Sequence, residues 1–200
     1  MLPRGGGAAD NFGVRAVIVV IALMATAAAA PMRPLVSAEG YRVRRPERAF
    51  GAAHVVAHVK RAIGEVRALY PHVHAVAIGD LSFERGGPIS DHASHRTGLD
   101  VDIGFYFTRV PDGYPERFAA ADERLDLEAT WALIVAFAQT ADRDDGVEVI
   151  FLDRAVQARL AAWARRRGTP DEQIAFVLGG LVKHWPNHVD HMHVRFKRRP

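Results

Sequence analysis

The 200-residue chain contains no cysteine. That absence excludes disulfide staples, cysteine-ligated zinc and a thiol nucleophile together. Long apolar runs are also missing, apart from one near the N-terminus. There Arg4 and Arg15 precede the apolar stretch from Ala16 to Ala25, followed by Thr26 and alanines through Ala30. The run is shorter than the roughly 20 residues that span a bilayer. A basic start, a short apolar middle and small residues at the end read as a secretory signal peptide over residues 1–30. An uncleaved N-terminal anchor is the alternative. After cleavage, a soluble exported domain with no stable membrane insertion is expected. Basic residues interleaved with stacking aromatics are lacking, so nucleic acid is a poor partner. The formal charge of +3 is mild. The basic ends, Arg42, Arg44, Arg45 and Arg48 and then Lys197-Arg198-Arg199, read as a solvated face. Attraction to an anionic polymer such as cell wall is the second reading.

Residues 31–48 hold three prolines and little apolar periodicity, an extended lead-in to a domain over 49–200. Apolar residues at helical spacing run from Ala49 to Leu69, ended by Pro71. Valine-rich His72 to Ile78 reads as a strand. From Leu99 to Phe107 the pattern alternates, placing Asp100, Asp102, Gly104 and Tyr106 on the polar side. The long segment from Thr108 to Leu125 reads as a binding loop. Asp126 and Asp153 cap the next two helices, with a buried strand from Val147 to Leu152 between them. Thr169-Pro170-Asp171-Glu172 reads as a capping box opening a helix through Val182. The last strand, His191 to Phe196, turns His191, His193 and Arg195 to one face. Strands and helices mix without a βαβ rhythm, which predicts an α+β fold: a small central antiparallel sheet flanked by helices.

Two histidine-rich segments carry the chemistry. The first, Ser94 to Asp102, offers an imidazole (His95) and a carboxylate (Asp102) seven positions apart. The second, His188-Val189-Asp190-His191-Met192-His193, offers imidazoles on alternate residues. Three nitrogen and oxygen ligands would leave a fourth tetrahedral position for water, the open arrangement of catalytic zinc. This donor set suits Zn²⁺ better than Ca²⁺ or Mg²⁺, which favour oxygen shells. On the final strand, one histidine can bind metal while the other reaches its water, and His191 is taken as the base. His188 could stabilise developing negative charge. His92 is a further candidate, as ligand, orienting residue or substrate contact. Arg195 and Tyr106, on the polar faces of their strands, are candidate substrate contacts. Two rival pairs exist. His54 and His58 have helical i, i+4 spacing, but Val55 stands where a zincin needs glutamate. His72 and His74 alternate on a strand but lack a histidine three residues upstream.

The segments Gly79-Asp80-Leu81-Ser82, Arg85-Gly86-Gly87, Ser90 through Ile103 and Asp190 through Arg195 resemble the penicillin-insensitive murein endopeptidase family. That family belongs to a wider group of zinc peptidases with lysostaphin, D-Ala-D-Ala carboxypeptidases and the hedgehog domain. The resemblance spans about Arg45 to Phe196. It implies a hedgehog/D-Ala-D-Ala-peptidase-like fold, with His95, Asp102 and His193 as zinc ligands. His191 would be the catalytic histidine, His188 a further active-site histidine, and His92 matches a family histidine. The implied activity is cleavage of D-alanyl–meso-diaminopimelyl cross-links of peptidoglycan in the periplasm. The chain departs from enterobacterial members in lacking cysteine, in having Val189 between the last histidines, and in its central loop. Two alternatives use the same residues: a D,D- or L,D-carboxypeptidase on stem peptides, and a non-catalytic zinc-containing wall-binding module.

Overall fold

The computed structural model describes residues 32–90 and 93–199. The signal-peptide segment 1–30 and His92 lie outside them. The fold is α+β, and its sheet is larger than expected. Strands β2 (Tyr41–Val43), β4 (Val76–Ile78), β5 (Asp100–Gly104), β8 (His191–Phe196), β6 (Val147–Leu152) and β7 (Val182–His184) form six strands in that order. The sheet is also mixed. Its centre, β4-β5-β8-β6, is antiparallel as expected, but β2 runs parallel to β4 and β7 parallel to β6. Both parallel strands are three residues long. One falls in the proline-rich segment read as extended, the other where a helix was expected to finish. A separate two-stranded ribbon pairs β1 (Arg33–Pro34) with β3 (Phe50–Gly51).

Period two decides which sheet face meets the core. Val101, Ile103, Met192, Val194 and Phe196 are fully buried. Helices α1 (Ala53–Leu69) and α2 (Leu127–Ala138) pack on this side: His58 stacks on Phe196, and Phe137 meets it edge-on. Asp126 caps α2 by accepting from the Ala129 N–H, and Asp153 caps α3 (Arg154–Arg166) through Ala155. Each such cap satisfies a helix-end donor worth about 1 kcal/mol. The capping box does not form. Pro170 itself precedes α4 (Asp171–Ile174), with no side-chain cap. The chain then widens into π-helical turns over Ala175–Leu181 before β7.

The segment from Thr108 to Leu125 is tied down on several sides. The Tyr114 hydroxyl donates to Phe105 O and accepts from the Ala77 N–H. Arg44 Nε donates to Glu116 O, and Ala121 N–H to Val189 O. This loop thereby lies across the polar face of β5 and β8. Among the described residues, no helix is long and apolar enough to cross a membrane.

Candidate metal centre and active site

The register of β5 against β8 brings the two motifs together. Asp102 lies directly opposite His193, and Asp100 opposite Arg195. His95 reaches the same point from the turn before β5. Its backbone is left-handed, φ 61°, which is uncommon for a residue with a side chain and typical of functional positions. Gly98, φ 67°, completes that turn, where an added Cβ would stand 3.0 Å from the Ala52 nitrogen. One ligand atom each from His95, Asp102 and His193 falls within 4.8 Å of the others. All three residues are buried, His95 completely.

The surrounding hydrogen bonds fix the tautomers. His95 Nδ1 faces the Leu81 carbonyl at 3.2 Å, so it carries the proton and Nε2 turns to Asp102 Oδ1 at 3.2 Å. His193 Nε2 lies 2.9 Å from Asp100 Oδ1, so Nδ1 turns inward, 3.1 Å from Asp102 Oδ1. With neutral rings, two nitrogen lone pairs and a carboxylate oxygen then face one another. Asp102 Oδ1 is buried and has no acceptable hydrogen bond. Such a convergence of electron-rich atoms repels itself unless a proton or a metal ion sits among them. The residues therefore fit a metal ion, with the Leu81 carbonyl and Asp100 orienting the two rings from behind. In the absence of a metal, a proton on His193 can take that place. Burial would raise the Asp102 pKa, but His193 and His95 hold it far below the ordinary range. Burial would lower His193, but Asp100 and Asp102 outweigh it and raise it to about 9.

His191 stands beside this cluster rather than in it. Its Nδ1 is 2.6 Å from Asp190 Oδ1, and its Nε2 points at Asp102 Oδ1 from 3.8 Å. Asp190 therefore accepts from Nδ1–H and leaves the Nε2 lone pair facing the site. The Phe118 ring stacks on His191 at 4.7 Å and 12°, and the Arg44 guanidinium covers Phe118 at 4.2 Å. Gly79 permits this approach, since an added Cβ would meet Phe118 at 2.7 Å and the Asp102 Cβ at 2.9 Å. His188 lies 4.9 Å from His191 between ring centroids. Burial, then its histidine neighbours, lower its pKa against the raising effect of a Pro186 carbonyl 2.9 Å from Nδ1. A cavity of about 570 Å³ opens over His191, His193, His188, Phe151 and Trp185.

The structure thus gathers His95, Asp102, His193, His191 and His188, and Arg195 lines the same cavity. Arg195 donates to Asp100 Oδ1 at 2.7 Å. Tyr106 is elsewhere: its ring is fully buried and presents no surface to a substrate. His74, one of the rivals, accepts from the Phe107 N–H and is held among Tyr106, Phe107 and Tyr114.

Comparison with known proteins bears on this geometry. The family model described as penicillin-insensitive murein endopeptidase matches residues 24–199. The chain belongs to that family. It is 31% identical to the penicillin-insensitive murein endopeptidase of Klebsiella pneumoniae subsp. pneumoniae over 175 residues, covering 80% of this chain and 59% of that protein. Against the protein of the same description from Escherichia coli O1:K1, identity is 31% over 179 residues, 81% of this chain and 60% of the other. The chain thus spans about three fifths of these murein endopeptidases.

Asp100, Asp190 and Phe118 are site residues that the sequence did not single out. For Asp100 a signal existed: it shares the strand face of Asp102 two positions on. Asp190 adjoins a histidine already chosen. Phe118 lies in an irregular loop, where no periodicity points to a neighbour.

Proposed function

We propose that this chain is an exported zinc D,D-endopeptidase that hydrolyses D-alanyl–meso-diaminopimelyl cross-links of peptidoglycan. The observation that carries the reading is the convergence of His95, Asp102 and His193 beside a carboxylate-oriented histidine. Membership of the murein endopeptidase family supports the substrate class. The N-terminal charge and apolar pattern supports export to the periplasm, and a hedgehog/D-Ala-D-Ala-peptidase-like arrangement of the sheet belongs to the same reading.

Zinc held by His95, Asp102 and His193 would supply a water that ionises near neutral pH. His191 accepts the proton of the attacking water at Nε2, the only ring nitrogen not committed to Asp190. Asp190 stabilises the resulting imidazolium and keeps the ring in one tautomer, the orienting role of an acid behind a catalytic histidine. His188 commits Nδ1–H to the Pro186 carbonyl, so it can donate to a developing oxyanion only when Nε2 is protonated as well, a state that its lowered pKa confines to acidic pH. Phe118 and Phe151 shield the rings from bulk water, which strengthens each of these polar contacts.

The test is a digest of purified cross-linked muropeptide dimers by the full chain, with chelator and then with zinc restored. Conversion of dimers to monomers that stops with chelator and returns with zinc is expected. Accumulation of free D-alanine without monomers would make the protein a carboxypeptidase instead. Unchanged muropeptides throughout would remove hydrolysis altogether.

A further inference from the structure

His191 and Asp102 line a second cavity of about 410 Å³, on the side away from Phe151 and Trp185. Three arginines, Arg44, Arg45 and Arg117, line it together with three carboxylates, Asp80, Asp102 and Asp190, and Phe118 supplies an apolar surface. Not all of that charge is committed. Arg45 pairs with Asp80 at 3.0 Å. Arg44 gives Nε to a neutral carbonyl, that of Glu116, and lays its guanidinium on Phe118. Arg117 flanks the opening. Among the described residues, neither Arg44 nor Arg117 makes an ion pair, and the two other carboxylates of the lining are engaged elsewhere, Asp190 with His191 and Asp102 with His95 and His193. Two arginines without an ion-pair partner thus line a cavity that ends at the proposed base. Another cationic hollow, of about 300 Å³ around Arg96 and Arg198, contains Glu148 and does not reach Asp102 or His191.

We propose that the Arg44–Arg117 cavity is a carboxylate-binding subsite that seats the amine-side arm of the substrate. The identity of that arm rests on the endopeptidase reading; the subsite itself rests on the cavity and its charges. In a D-alanyl–meso-diaminopimelyl cross-link, the carbon bearing the scissile nitrogen also bears a free carboxylate. An anion so close to the reacting bond belongs beside His191, in the cavity that His191 shares. Guanidinium groups match a carboxylate in shape as well as charge. The aromatic cavity over Phe151 and Trp185 is left for the D-alanyl arm. A two-armed groove of this kind selects cross-links over single strands.

The experiment pairs one chemical change with one mutation. Two meso-diaminopimelyl peptides are used, with the carboxylate beside the free amine either ionised or amidated. Each is titrated calorimetrically into the zinc-loaded full chain and into the R44Q, R117Q and double variants. Amidation should weaken binding to the parent by about tenfold to hundredfold, the worth of a charged hydrogen-bonded contact. The double variant should bind both peptides alike. Arg117 is exposed, so R117Q keeps the test sound if R44Q disturbs Phe118. A merely structural effect would weaken both peptides equally in the variants, and that result overturns the subsite, as does a parent that ignores amidation. Cleavage of the matching cross-linked dimers separates the two readings. Carboxylate-dependent binding without cleavage keeps the subsite and removes the endopeptidase. Cleavage indifferent to amidation, with indifferent binding, does the reverse.

Discussion

Among the described residues are two buried groupings of two histidines and an aspartate, and they behave in opposite ways. In one, His95 and His193 turn their inward nitrogens onto a single oxygen of Asp102. In the other, the α1 residues His54 and His58 share nothing. His54 Nε2 meets the Lys197 carbonyl at 3.1 Å, and His58 Nε2 meets Asp145 at 3.2 Å. Asp145 is also bound by Arg143 and by Arg199. Composition and burial are alike; the supply of positive charge differs. Asp145 is surrounded by the protein's own cations, and its histidines clamp the C-terminal segment. Among the described residues, Asp102 has no arginine or lysine of its own and faces two imidazole nitrogens that can serve as metal ligands. A metal centre is thus recognised by unmet charge more than by a count of histidines.

Substitutions can break this contrast in order of effect. Asp102→Ala should release zinc and reduce hydrolysis to background, checked by metal analysis and muropeptide digestion. His191→Ala should keep about one zinc per chain while turnover falls by about 10²-fold to 10⁴-fold. Equal turnover in that variant would remove His191 from the reaction. Asp100→Asn should weaken zinc by about 10-fold to 100-fold, read by competition with a chromophoric chelator, because it only orients His193. Asp145→Asn should leave zinc content and turnover unchanged and cost about 1–3 kcal/mol of stability, measured by urea unfolding. Arg199 foremost, with Arg143 and His58, outweighs burial and holds the Asp145 carboxyl well below its usual range. A depressed carboxyl stabilises the fold above its unfolded pKa of about 4 and loses that contribution as the pH falls. The gap between Asp145→Asn and the parent should therefore close below about pH 4. A gap that widened there would contradict the ion-pair account.

The central strands were legible because they are long enough for period two to show. Met192, Val194 and Phe196 alternate with His191, His193 and Arg195, and β8 follows those bounds. The caps Asp126 and Asp153 were legible because their chemistry is local. The edge strands β2 and β7 were not, since three residues carry no period and their pairing is decided by partners far off in the chain. Parallel pairing at both edges follows from those distant partners too. The alternation expected through Phe107 stops with β5 at Gly104; Phe105, Tyr106 and Phe107 are all buried, and the Tyr106 ring lies against His74. Phe118 and Arg44 came together only through tertiary folding, so the stack on His191 had no local signature.

The rung that sets Asp102 against His193 has a consequence for how this protein can change. Sliding either strand by one residue would turn a donor into the hydrocarbon interior and dismantle the centre. Surface loops between the two strands can vary in length while that rung stays paired, provided that α2 and β6 keep their places in the core. Tolerance to insertion in the loops and intolerance to slippage of the strands therefore coexist in one chain, and variation confined to those loops would leave the three converging side chains in place.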